Sequence, residues 1–319
     1  MNKYYYHHDN NRHGSFHFIS NDTYVWLCQQ PYVKEESITD RIIFELNSYN
    51  PYVVSYEFNR NEEALNGADW EWWILFNKMD KGKKSMSKAE QDDCFAALRF
   101  RVQAKKLSRA DKDNYHLFHY ANKKGLQIDL LRERAKRDRA YALYALYTNY
   151  QNVDRILKYE IGKERIEVPN ICSSCKNGVF LLSADFIYEK YIEHEKREVT
   201  RSELVKQSIP ASIIDCFISL YHRYYFKWES HEYYYPLPLP LAFSEIKRAF
   251  HSIEPTAEII HTKDEFPGYL KRIISRIDDK QEMDKQYYDE YLEGIEQVEN
   301  ETISGVGVID LRMRSWCED

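Results

Sequence analysis

Apolar and polar residues alternate without a break from Leu98 to Lys105. Successive side chains of a strand point to opposite faces. Leu98, Phe100, Val102 and Ala104 therefore share one face, and Arg99, Arg101, Gln103 and Lys105 the other. The pattern predicts a strand over Leu98–Lys106. A second stretch, Gly67–Phe76, also reads as a strand, with Asp69 and Glu71 on one face and Trp70 and Trp72 on the opposite one. Tyr52–Phe58, β-branched and aromatic, predicts a strand ahead of these two. Upstream, Ile38, Ile42, Ile43 and Leu46 recur at helical spacing and predict a helix over Glu35–Asn47, which the Asn50-Pro51 step ends. Downstream, Leu126, Leu130 and Leu131 form an apolar stripe in a charged helix over Gly125–Ala140. Tyr141–Tyr147 reads as a buried strand after it. Asn59–Asn66 is a polar turn, 78–93 a charged loop, and Ser108–Asn114 a polar connector. The predicted order is α-β-β-β-α-β.

The remainder has a different texture. Residues 1–30 show no sustained period and read as irregular. Ser183–Glu195, Leu241–Ile253 and Phe266–Ile277 read as helices, as does a segment after Pro210. Pro236–Pro240 must be extended, because each proline fixes its own φ and disfavours helix before it. Val306–Leu311 predicts a closing strand. The expected division is an α/β domain over residues 20–160 and a mainly helical C-terminal region over 161–319.

Composition narrows the class. The chain has 319 residues, 43% of them hydrophobic, enough to bury a sizeable core. The net charge of −6 excludes a global positive field, so any nucleic-acid surface must be local. One stretch qualifies: residues 98–140 carry 13 Lys and Arg against 5 Asp and Glu. Six cysteines with one close pair, Cys172 and Cys175, make no disulfide framework and fit a reducing compartment. The pair reads as loop thiols, with zinc left open for want of a second pair. His7, His8, His13 and His17 lack acids or cysteines at ligand spacing and read as surface residues. The segment Met1–Phe18 has no apolar core of a signal peptide, and no uncharged run approaches the ~20 residues of a membrane helix. A cytoplasmic, membrane-free protein is expected.

If the second and third strands pair, Asp69, Gln103 and Lys105 converge at one edge of the sheet. Asp69 is an anionic ligand for a hard cation, Gln103 a neutral carbonyl ligand, and Lys105 a positive charge for a phosphate. Metal-assisted phosphodiester hydrolysis needs these three parts. Glu36, on the preceding helix, could complete the site through water. The surrounding tryptophans read as core.

These residues carry a resemblance. Asp69 with Gln103-Ala104-Lys105, a glutamate on the first helix and the α-β-β-β-α-β order resemble the PD-(D/E)XK nuclease superfamily. Val102-Gln103-Ala104-Lys105-Lys106 is similar to the Mrr-like restriction endonucleases, which often carry Gln where others carry Glu. Glu36, Ile38, Thr39, Ile42 and Ile43 follow that branch's helix pattern of an acid and spaced apolar residues, Thr39 being a departure. The wider set, with Gly67-Ala68-Asp69-Trp70-Glu71-Trp72-Trp73 and Gln127-Ile128-Asp129, looks like a bacterial family assigned to this fold. The resemblance covers residues 33–150. It implies a restriction-endonuclease-like core, a mixed sheet flanked by helices. It implies Mg2+- or Mn2+-dependent endonuclease cleavage of nucleic acid, DNA foremost, in bacterial restriction or anti-phage defence. Asp69 and Gln103 would hold the metal, with Lys105 and Glu36 catalytic beside them. Lys106, Arg134, Arg137 and Arg139 would track the phosphates. The alternative is an inactive nuclease-fold subunit that binds nucleic acid or a partner in a defence complex. Homodimerisation and a defence-system partner both stay open, as does RNA as the substrate.

Overall fold

The computed structural model describes residues 15–49, 53–57, 68–77, 95–108, 114–123, 125–151, 157–161, 164–168, 176–195, 198–215, 260, 263–279 and 305–312. Its centre is a seven-stranded mixed sheet. Five of the strands are β1 (Val53–Glu57), β2 (Trp70–Asn77), β3 (Phe95–Lys106), β6 (Tyr141–Tyr147) and β9 (Val179–Ser183). The two others are β10 (Ile209–Pro210) and β11 (Gly305–Asp310). Their order across the sheet is β1-β11-β2-β3-β6-β9-β10. The short β4 (Ala121–Asn122) and β5 (Gly125–Leu126) pair with each other, and β7 (Leu157–Ile161) pairs with β8 (Glu164–Val168).

β2 and β3 form the antiparallel pair that the alternation predicts, with Trp70 opposite Val102 and Trp72 opposite Phe100. β6 runs parallel to β3, with Tyr144 opposite Gln103. Parallel neighbours need a crossover, and helix α4 (Gln127–Arg137) is the main element of that connection. Ahead of α4 lies the one-turn helix α3 (Tyr115–Phe118). The two faces of β3 are each covered. Leu98, Phe100, Val102 and Ala104 pack with Trp70 under α1 (Ser15–Gln29) and α2 (Glu35–Tyr49). On the other face, Tyr144, Leu146 and Leu182 pack against Ile128, Leu131 and Ala135 of α4. Trp73, Leu75, Val306 and Val308 pack there against α7 (Gly268–Asp279).

Two expectations change. Residues 15–29, expected to be irregular, form α1, whose buried side is Phe16, Ile19, Ser20, Thr23 and Leu27. Polar Ser20 and Thr23 interrupt the apolar period, and Ser20 is buried for a reason. Its carbonyl accepts from Gly178 N–H at 2.7 Å, and its hydroxyl lies 3.2 Å from the amides of Gly178 and Val179. The helix start is capped from far away, since the Asp215 carboxylate accepts from the amides of Phe16 (3.2 Å) and His17 (2.7 Å). Burial pushes the Asp215 carboxyl up to about 7, against the pull of those two amides.

The second change concerns the boundary at residue 160. The region expected to be mainly helical supplies β9, β10 and β11 to the same sheet. β11 lies between β1 and β2, antiparallel to the first and parallel to the second. Between β9 and β10 the chain forms α5 (Ala184–Ile187), a wider turn over Tyr188–Ile192, and α6 (Arg201–Gln207). Cys172, Cys175, the loop 78–93, Pro236–Pro240 and the helix expected over Leu241–Ile253 lie outside the described residues. No helix among the described residues is long and apolar enough to cross a membrane.

The α1 contact gives a sharp test. A Cβ on Gly178 would lie 2.3 Å from the backbone nitrogen of Tyr24 and 2.8 Å from the Ser20 carbonyl oxygen. Backbone cannot swing aside as a side-chain tip can. Gly178→Ala is expected to cost about 1–3 kcal/mol, the range of an overpacked core. Urea denaturation checks it, and an unchanged midpoint would show that α1 yields freely.

Candidate functional site

β2 begins just after Asp69, and the register there fixes what meets what. Asp69 N–H donates to Val102 O at 3.0 Å, and Asp69 Oδ2 accepts from Ala104 N–H at 2.7 Å. The carboxylate is thereby pinned across the ladder from Gln103. Gln103 has no exposed surface, and neither Oε1 nor Nε2 has a hydrogen-bond partner. Buried amides are almost always paired, and each unpaired polar atom costs about 1–3 kcal/mol. Lys105 follows two residues on, half-buried, with Nζ 3.8 Å from Glu35 Oε1. Asp69, Gln103 and Lys105 thus lie together at one end of the β2–β3 pair.

Glu36 does not join them through any contact seen here. It is exposed on α2, and its neighbour Glu35 takes the position beside the lysines. Glu35 Oε2 accepts from Lys106 N–H at 2.6 Å. Its stripe explains the difference. One turn on, Thr39 Oγ donates to the Glu35 carbonyl at 3.2 Å and shares a hydrogen bond with Tyr147 OH at 2.9 Å. Glu35 thus lies above the buried side of the helix. Burial raises the Glu35 carboxyl above its ordinary range, although Lys105 and the Lys106 amide pull the other way.

Two tyrosines of β6 report the local field. Burial first, then the Asp69 and Asp129 carboxylates, hold the Tyr144 phenol well above its ordinary range. Tyr147 is raised by burial, with Glu35, Asp69 and Asp40 adding to it and the Thr39 hydrogen bond opposing. Carboxylates from α2, from the approach to β2 and from the first turn of α4 therefore act on one end of β6. Gln127, the first residue of α4, adds a second buried amide oxygen without a partner. Gln103, Gln127 and Asp129 were not equally visible in sequence. Gln103 stood in a strand pattern, whereas the two α4 residues depended on how that helix docks.

Among the described residues, no group of three His, Cys, Asp and Glu side chains is placed to hold a metal ion. A cation at this end of β3 must combine the Asp69 carboxylate with neutral oxygens, and Gln103 Oε1 is the unpartnered neutral oxygen nearest in register. Hard divalent cations accept such mixed oxygen sets. The donor chemistry fits Mg2+ or Mn2+.

Behind the site lies a buried charge network that the sequence pattern did not suggest. Glu71, fully buried, holds Arg99 at 2.7 Å and Arg101 at 3.2 Å. Arg101 reaches Asp138 at 2.7 Å, and Trp73 Nε1 donates to Glu71 Oε1 at 2.6 Å. Tyr269 of α7 donates to the same carboxylate oxygen of Glu71. Much of the expected phosphate track is engaged in contacts within the protein. Arg134 pairs with Asp138 at 2.9 Å, Arg139 pairs with Glu265, and Arg132 pairs with Asp185 at 2.6 Å. Lys106 donates to the carbonyls of Pro31 (2.9 Å) and Val33 (2.6 Å). Arg137 lies 3.5 Å from Asp138 but keeps a largely exposed side chain, and Lys136 is exposed beside it.

No curated protein and no solved structure matches the chain. A family model does match, over residues 13–301, which takes in both the sheet and the C-terminal strands up to the approach to β11. The chain belongs to that family, described as a family of unknown function, DUF6615.

Proposed function

We propose that the chain is a metal-dependent nuclease on a restriction-endonuclease-like core, hydrolysing phosphodiester bonds of nucleic acid, DNA foremost. The observation that carries this is Gln103: a wholly buried amide with no partner, placed across the ladder from a pinned aspartate and two residues from a lysine. An ion with its water supplies the partners that such an amide needs. Asp69 and Gln103 would hold the cation, which would lower the pKa of a bound water and polarise the phosphoryl oxygens. Lys105 would face the phosphate and offset the charge that grows on its oxygens as water adds and the ester oxygen leaves. Glu35 holds Lys105 from behind and is a positioning residue. A role in restriction or defence follows from the sequence resemblance alone.

A non-cutting nucleic-acid-binding or partner-binding subunit is the second reading. Two observations favour it: the neutral residue at position 103, and the ion pairs of Arg132 and Arg134 on α4. Plasmid, linear, single-stranded DNA and RNA incubated with Mg2+, Mn2+ or EDTA separate the two. Cleavage that EDTA stops and Asp69→Asn removes supports the enzyme. Asparagine keeps an oxygen for the Ala104 amide, so the fold should persist. Divalent-independent cleavage, or a fully active Asp69→Asn, would sink the assignment.

Gln103→Leu gives a test with two opposed readouts. Mn2+ affinity by titration calorimetry should fall on the order of tenfold or more, as for lost support in metal sites. Folding stability should hold or rise, because apolar replacement removes unpaired buried polar atoms. A variant that loses stability while binding Mn2+ as before would show that Gln103 serves the fold.

A further inference from the structure

The segment that leads from β3 to α4 is pinned at both ends to the elements of the candidate site. Just past Lys106, Leu107 N–H donates to Tyr147 O at 2.9 Å, and Ser108 N–H donates to Asn114 Oδ1 at 2.9 Å. Asn114 is itself fully buried, its Nδ2 donating to Val199 O at 3.2 Å. Phe118, 1% exposed, sets its ring edge-on to Tyr144 at 5.0 Å, and Tyr144 is the register partner of Gln103. At the far end, the Tyr120 carbonyl accepts from Gln127 N–H at 2.9 Å.

Two rings of this braced segment are exposed, His116 and Tyr120, beside a half-buried stacked pair. Tyr115 and His119 stack with centroids 3.5 Å apart and planes 24° apart, and His119 Nδ1 lies 2.9 Å from the Tyr115 carbonyl. His116 is exposed and meets Tyr115 edge-on at 5.6 Å. Tyr120 keeps 60% of its surface in solvent, and Lys123 beyond it is exposed. A large exposed ring on fixed backbone forgoes the gain of burial. Phe118 shows that the segment buries a ring where packing asks for one.

We propose that the exposed rings of His116 and Tyr120, backed by the Tyr115–His119 stack, form a stacking platform for unpaired bases, so that the candidate site takes single-stranded or locally unpaired nucleic acid. This rests on the nuclease reading for the site but not on cleavage itself. Every base has a π-face, and stacking on tyrosine or histidine is available only where that face is open. In a duplex both faces are covered, and a protein meets phosphates and base edges. A chiefly duplex-binding surface needs a row of cations, and two of the three arginines of α4, Arg132 and Arg134, are held in ion pairs. Lys123, exposed three residues past Tyr120, can take a backbone phosphate of a short strand.

The test uses the full chain with fluorescently labelled dA12 and rA12 single strands and a 12-base-pair duplex (~12 units in each probe, sized to cover one stacking site), in Ca2+ to hold any cleavage back. Tyr120→Ala with His116→Ala should weaken single-strand binding on the order of tenfold, leaving duplex binding within about twofold. Tyr120→Phe, which keeps the ring, should retain single-strand affinity. Comparison of dA12 with rA12 shows which sugar the site accepts. Equal losses on single strand and duplex, or no loss on either, would overturn the platform. Ring-dependent single-strand binding without divalent-dependent cleavage would leave the platform standing and remove the enzyme. Cleavage of single strands at the wild-type rate and affinity by the double variant would do the reverse.

Discussion

Glu71→Ala is expected to cost about 3–5 kcal/mol of folding stability, the range for breaking a buried ion pair from one side. Glu71 is fully buried, and its removal takes a carboxylate from Arg99 and Arg101, which are 6% and 0% exposed. Asp138 remains within 2.7 Å of Arg101 but 3.8 Å from Arg99, so one guanidinium loses its close partner. Tyr269 and Trp73 lose their acceptor as well. Glu71→Gln tests charge apart from shape. It keeps an oxygen for Trp73 and should lose somewhat less. Urea denaturation at neutral pH measures both.

The same network sets an acid window. Burial alone would raise the Glu71 carboxyl, but Arg99 and Arg101 beside it hold it below the ordinary value of 4.5. A folded-state pKa below the unfolded one contributes stability that is fully present above pH 4.5. It fades as pH falls through the lower, folded value. The stability gap between wild type and Glu71→Gln should therefore be constant from pH 7 down to about 4.5 and close below it. A gap that stays constant to pH 2 would show that Glu71 is not the ion-paired group.

The alternation along β2 and β3 read the pairing and the two faces correctly, but it carried no sign that Arg99 and Arg101 are buried. A charged residue at every second position looks like a solvent face. Here that face is covered by α4 and α7, and the charges are matched by Glu71 and Asp138 from outside the strand. Pairing across distant segments leaves no local period to detect. The basic surplus over residues 98–140 has the same origin, since Asp185 and Glu265, the partners of Arg132 and Arg139, lie far along the chain. Helix α1 was hidden because Ser20 and Thr23 are buried polar residues, chosen for close approach to Gly178. At the candidate site, Asp69, Gln103 and Lys105 were legible because one strand pair fixes all three. Glu35 against Glu36 was not, because two adjacent acids differ by only about 100° around a helix and the docking angle decides between them. The strand near Val306 was legible as a strand, but nothing local tells where in a sheet a strand inserts.

A chain ending at residue 165 is expected not to fold, contrary to what a boundary near 160 would give. It would lack β9, β10 and β11. β1 pairs only with β11 among the described strands, so it would lose its ladder altogether, and β2 would become an open edge. Trp73 and Leu75, both fully buried, would lose Val306, Val308 and the apolar side of α7 together. Full burial of one such side chain contributes about 1.5–3 kcal/mol, and a whole domain is stable by about 5–15 kcal/mol. Exposing a handful therefore removes an amount comparable with the total. α1 would also lose Gly178, Val179 and its Asp215 cap. The truncated chain should show no cooperative thermal transition and no near-ultraviolet tryptophan signal, and should aggregate through the β2 edge. A milder variant in the full chain points the same way. A Cβ at Gly307 would come within 2.4 Å of the Trp72 ring, so Gly307→Val should lower stability while leaving the chain length intact. A truncated chain that melts cooperatively would show that β1 and β2 can pair without β11, and would return the C-terminal strands to the status of an addition.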